Sequence, residues 1–267
     1  MINIFKQTFK EKKWTISIYC AAGILFLWLY VSFFPTVQKS TNDVSQIVKN
    51  LPQSLTKTFG LDAQSFTTFE GFIAGKHFSL VWPILLIALV VSFGSAFLAG
   101  EIEKGTIGIL LSQPVSRIKI FLGKLFAGIS FLFIFVVASV LSVIPLAKAY
   151  EISYKGENFF TFAISGFVFG LAIFGLAMLF SAIFSEKSKA NFVVVGILIL
   201  MYVMNIVAGL KDNLDKLKYI SFFHYFNHTD ILLYNRVSQS TWWVFLGTFF
   251  ISSLVALFCF WKRDVTI

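Results

Sequence analysis

The chain has 267 residues, 57% of them hydrophobic and only 13% charged, where a soluble domain carries about 25% charged residues. A water-soluble fold has no interior large enough for 34 phenylalanines, so much of this apolar surface must face lipid. The net charge of +9 is spread between apolar runs instead of forming a basic domain, which excludes nucleic-acid binding and points to contact with anionic membrane lipid.

In chain order, Met1–Lys13 reads as a short amphipathic helix, with Ile2, Phe5 and Phe9 on one side and lysines elsewhere. Such a helix lies in the membrane interface before the chain enters the bilayer. Six apolar runs follow, at residues 14–34, 78–100, 125–147, 159–184, 190–210 and 241–261. Each reaches the roughly 20 residues that a helix needs to cross about 30 Å of hydrocarbon. None contains Asp, Glu, Lys, Arg or His, as insertion energetics require. The expected fold is an all-α polytopic membrane domain, 1–267, with six transmembrane helices. The first run is too long for a signal-peptide core, and Phe33-Phe34-Pro35 offers no small-residue cleavage site.

Between the first two runs, Asn42-Asp43 caps a helical stripe of Val44, Ile47, Val48 and Leu51 that Pro52 ends, and Phe66, Phe69 and Ile73 form a second stripe. Lysines set the orientation. Lys6, Lys10, Lys12 and Lys13 precede span one, Lys104, Arg117, Lys119 and Lys124 separate spans two and three, and Lys187 and Lys189 separate four and five. Lys262 and Arg263 follow span six. The alternate loops are longer and more dilute in charge, so both termini are expected in the cytoplasm. Lys211–Ser240 is too apolar to float in water and too punctuated to span. Tyr219, Phe222, Phe223, Tyr225, Phe226 and Tyr234 predict re-entrant or interfacial helices buried against protein.

The loop after span two concentrates the chemistry. Span two ends on Glu101 and Glu103, and a short helix with glycine hinges follows, carrying Ile107, Leu110 and Leu111. A turn at Pro114 follows, with Ser116 as a cap for the helix that continues through Arg117 and Lys124 into span three. Apolar and charged groups together at the membrane edge suit the docking of a soluble partner.

The run Glu101-x-Glu103-Lys104-Gly105-Thr106-Ile107, then Leu110-Leu111-Ser112-x-Pro114-Val115-Ser116-Arg117 and Gly123-Lys124, resembles the loop of type-2 ABC exporter (ABC-2) permeases. The six spans, the long first outer loop and the aromatic stretch before the last span also fit, so the resemblance covers essentially the whole chain. It implies the permease subunit of an exporter in the cell membrane, paired with a second permease, identical or different. Each permease docks a separate ATP-binding cassette ATPase. By resemblance Glu101, Glu103, Gly105, Thr106, Pro114, Arg117 and Lys124 occupy the motif positions, and the loop and the N-terminal helix transmit ATP-driven movement. The bland reading of the same charges is that of solvated span ends and positive-inside anchors.

No Gly-x-x-x-x-Gly-Lys-Ser/Thr run occurs in the sequence, so the ATP site belongs to the partner and the chain is expected to be neither an enzyme nor a cofactor binder. A membrane enzyme or an ion-coupled secondary transporter needs ionisable groups within its spans, which these runs lack; a non-transporting anchor subunit stays open. Small residues at intervals of four, Ser92, Ala96 and Gly100 in span two and Gly166 and Gly170 in span four, permit close helix approach within one subunit or across a dimer seam. His224 and His228, with Asp230 nearby, have metal-ligand spacing, but an aromatic loop makes this a weak signal. Cys20 and Cys259 lie within spans as small apolar side chains.

Overall fold

The structure, a computed structural model, describes residues 1–39, 68–112, 114–210 and 212–263. The described residues form helices, turns and bends, without a strand, and six of the helical stretches are long and apolar enough to cross a membrane. The stripe from Val44 to Leu51, its Pro52 stop and Phe66 lie outside the described residues.

Span one is a single helix, α1 (Ile2–Lys39), of 38 residues. At 1.5 Å per residue it is about 57 Å long, nearly twice the roughly 30 Å hydrocarbon thickness, so its ends extend beyond the core. The expected separate interfacial helix at Met1–Lys13 is corrected accordingly. No Gly or Pro breaks the stretch before Trp14, and the first turns pack on span three. Ile4 and Thr8 are buried while Ile2 is exposed, Phe9 meets Phe131 with ring centroids 4.9 Å apart, and a Cβ at Gly123 would lie 3.1 Å from Ile4.

Span two runs through α2 (Phe69–Ile73), a π-helical segment (Ala74–Val81) and α3 (Trp82–Phe97). It begins at Phe69, ahead of the apolar run that starts at Phe78, and so takes in Glu70 and His77. Glu70 is admitted because its carboxylate accepts the Lys155 N–H at 2.6 Å. His77 is admitted because protein encloses it: its exposure is 0%, with the Tyr30 ring 5.6 Å and the Phe78 ring 4.8 Å away. Neither imidazole nitrogen has a hydrogen-bond partner among the described residues.

α4 (Ala99–Glu103) and α5 (Thr106–Leu111) form the following loop, and span three comprises α6 (Arg117–Leu141) and α7 (Val143–Ala149). Span four is α8 (Gly156–Ile183), span five α9 (Lys187–Leu210) and span six α12 (Gln239–Lys262). Span four is the most enclosed of the six and packs most extensively on span six, then on α3 and α6. Its glycines make those approaches possible. A Cβ at Gly166 would meet Trp82 at 2.5 Å and one at Gly170 would meet Leu132 at 2.7 Å, so the small-residue stripe of span four serves packing within the subunit. Spans one and five are the least buried, and their Trp14, Phe192 and Leu200 stand exposed on the outside of the bundle, part of the apolar surface that composition demanded.

Between spans five and six lie a 3-10 helix (Asp212–Ile220), α10 (Phe222–Tyr225) and α11 (His228–Tyr234). Phe222, Phe226, Ile231 and Leu232 are buried. Phe226 stacks on Phe169 of span four at 4.6 Å and 7°. These are the short helices buried against protein that the aromatic loop predicted.

Candidate functional site at the loop between spans two and three

Four segments far apart in sequence share one end of the bundle. Span one starts there, against Gly123. Glu103 of the loop reaches the start of span five, accepting the Lys187 N–H at 2.8 Å. Arg117 donates to the carbonyls of Phe260, Trp261 and Arg263 at the end of span six. Arg263 in turn donates to the carbonyls of Ala182 at 2.8 Å and Phe184 at 3.0 Å, and to Ser185 Oγ at 2.6 Å. An α-helix leaves its last carbonyls unpaired, and guanidinium groups satisfy them while opposing the negative end of the helix dipole. The two arginines thus close spans six and four.

The base of the loop is built inward. α3 ends at Leu98 with φ −120° and ψ −63°, which frees backbone N–H groups inside the protein. Ser181 of span four repairs the break: its Oγ accepts from Leu98 N at 3.3 Å and Ala99 N at 2.9 Å, and donates to the Ser95 carbonyl at 3.0 Å. One turn on, Glu101 ion-pairs with Lys124 of α6. Lys124 is only 2% exposed and Glu101 22%, and the ammonium also lies 5.9 Å from the Phe97 ring centroid. A buried ammonium requires such a partner, so the pair fastens span two to span three.

The tip of the loop is built outward. Gly105 adopts φ +71°, a left-handed conformation that suits glycine, and so turns α4 sharply into α5. Thr106 Oγ1 donates back to the Glu101 carbonyl at 3.3 Å, Ile107 tucks into the core at 2% exposure, and Lys104, Gly105, Thr106 and Pro114 stay exposed. Ser116 caps α6, its Oγ accepting from Lys119 N at 3.4 Å.

The predicted site residues therefore fall into two groups. Glu101, Lys124 and Arg117 face other spans, and Glu103 caps a neighbouring helix from an exposed position. Gly105, Thr106 and Pro114 make the free surface. Sequence reasoning missed Ser181 and the capping role of Arg263; the only signal for the latter was its place as a cation just past a span. At the opposite end, His224 and His228 do not gather with a third ligand: among the described residues no group of three or more His, Cys, Asp or Glu side chains is arranged for a metal.

Residues 7–264 match the family described as "ABC-2 family transporter protein". The chain belongs to the ABC-2 transporter family. Over 192 residues it is 26% identical to a protein described as "Probable multidrug ABC transporter permease YbhR" in Escherichia coli K12, and equally to its counterpart in Escherichia coli O157:H7. That alignment takes in 68% of this chain and 49% of the relative, so the ABC-2 chain spans about half the length of the curated relatives it matches.

Proposed function

We propose that this ABC-2 chain is the transmembrane permease subunit of an ATP-binding-cassette exporter in the cell membrane. A separate ATPase subunit hydrolyses the ATP, and a second permease, identical or different, completes the pathway. The end of the bundle bearing the loop, the start of α1 and the end of span six faces the cytoplasm, where lysines are densest. The uncharged, phenylalanine-rich spans suit a lipophilic drug, a peptide or a lipid as cargo, and the multidrug description of the relative agrees with the first of these.

One observation carries this reading: a sharply turned helix, α5, stands on a base fastened to three spans. Glu101–Lys124 ties the base to span three, Ser181 to span four and Glu103 to span five, while Lys104, Gly105 and Thr106 stay exposed. A force applied to α5 by a docked ATPase passes directly into those helices.

The test is co-expression with a candidate ATPase, co-purification, and ATP hydrolysis in lipid nanodiscs. The wild-type complex is expected to hydrolyse ATP at a rate different from that of the ATPase alone. Replacing Gly105 with Val strains a left-handed position by about 1–2 kcal/mol at an exposed tip, so the permease should stay folded while the complex loses its altered rate. Recovery of a lone permease without ATPase under gentle extraction overturns the reading.

A further inference from the structure

At the bundle end opposite the loop, α10, α11, the turn after α11 and the start of span six line an open-mouthed pocket of about 680 Å³, within the range of small-ligand sites. Asp230 and Arg236 both line it. They form no ion pair with one another, and neither pairs with another charged side chain among the described residues. The Asp230 carboxylate accepts only from Asn227 Nδ2, at 2.7 Å. One turn fixes both positions: Asn235 is left-handed at φ 53°, and the Arg236 N–H returns to the Asp230 carbonyl at 3.2 Å, closing α11. Two exposed, opposite charges thus line one pocket without pairing, on a turn that the backbone fixes.

The rest of the wall narrows the occupant. Tyr225, Ile231 and Val237 add an apolar side. His224 adds hydrogen-bonding capacity without charge, because burial, and secondarily the nearby Lys218, lower its pKa from the ordinary value. Trp243, 75% exposed, stands just past the pocket residue Ser240 at the start of span six, the place of an interfacial aromatic belt. The pocket therefore sits at headgroup depth. A ligand that fits must carry an anion for the forked guanidinium, a cation for the carboxylate, and an apolar remainder.

We propose that this pocket binds the headgroup of a phospholipid bearing a primary amine, with the phosphate on Arg236 and the ammonium on Asp230. The assignment goes beyond the transport reading and needs neither ATP nor a partner, so its failure leaves that reading untouched. A free zwitterion would satisfy the same two charges, and the experiment separates the two sources.

Purified, delipidated permease is titrated by native mass spectrometry with phosphatidylethanolamine, with phosphatidylglycerol, and with phosphatidylethanolamine in competition with soluble glycerophosphoethanolamine. Arg236→Gln and Asp230→Asn are each expected to weaken phosphatidylethanolamine binding at least about tenfold. Phosphatidylglycerol, which lacks the amine, should weaken with Arg236→Gln but not with Asp230→Asn, and its retention by the latter shows that the variant is folded. Lys148→Gln, which removes an exposed cation outside the pocket, should change neither. Unchanged phosphatidylethanolamine binding in both pocket variants overturns the proposal. So does an equal loss with Lys148→Gln, which would mean diffuse surface attraction. Competition by glycerophosphoethanolamine at concentrations comparable to the lipid also overturns it, in favour of a site for the free headgroup zwitterion.

Discussion

At the scale of single residues, the two glutamates of the loop are not equivalent. Glu101 is the counter-ion of a lysine that is 2% exposed, whereas Glu103 is exposed and caps a helix start. Breaking a buried pair by removing one member costs about 3–5 kcal/mol, but replacing both members with apolar groups is often neutral. Glu101→Gln should therefore lower the melting temperature of the purified permease clearly, and adding Lys124→Met should restore most of it. Glu103→Gln should cost only about 0.5–1 kcal/mol, as capping changes do. Equal losses for Glu101→Gln and Glu103→Gln would mean that the ion pair holds nothing. His228 makes a pH-dependent contribution. The residue is half-buried, but its Nε2 is sealed and has no hydrogen-bond partner among the described residues, and burial lowers its pKa from 6.5 to about 4. Acid must protonate the ring more readily in the unfolded chain, so stability is complete above pH 6.5 and falls as pH drops towards about 4. Melting temperature against pH should decline less steeply over that window in His228→Leu than in the wild type.

At the scale of elements, span two is the irregular one. Eight consecutive residues, Ala74–Val81, are π-helical, and π geometry is rare and mostly confined to single-turn bulges. Within that segment His77 is enclosed by rings, with both nitrogens unpaired among the described residues. An unsatisfied buried polar group costs about 1–3 kcal/mol, so the aromatic replacement His77→Phe should raise the melting temperature of the isolated permease. A fall instead would show that the imidazole holds an internal water. The same segment explains why apolar counting placed the start of span two at Phe78. Glu70 and His77 end an apolar window, and what admits them to the helix, the Lys155 amide and the Tyr30 ring, comes from other parts of the chain.

At the scale of the molecule, the even number of spans gathers the start of span one and the end of span six at one end. In the proposed orientation, which lysine density favours, that end lies in the cytoplasm. With Cys20 and Cys259 replaced by Ala, Lys104→Cys should resist an impermeant maleimide on intact cells while Lys148→Cys reacts, and the reverse pattern inverts the topology. Six spans were legible in the sequence because the cost of burying charge in lipid writes them as uninterrupted apolar runs. The loop between spans two and three was legible as a place where charge, glycine and apolar side chains meet. Its partners were not. Ser181 acts on Ala99 from 82 residues away and Arg117 on Trp261 from 144, and no local window contains such a pairing. The N-terminal helix was misread for a related reason: amphipathicity is the same whether the apolar side rests on lipid or, as with Ile4 on Gly123, on another helix.

The closure of span four by Arg263 also has a meaning in time. The guanidinium and the Ala182 carbonyl it satisfies are 81 residues apart, and at about 5–20 residues per second the ribosome takes roughly 4–16 s to cover that distance. Throughout that interval the most enclosed helix of the bundle has an unfinished end. Water and lipid headgroups must stand in for the arginine while spans five and six are inserted. The end of span four thus stays open until the last span brings the cap that closes it.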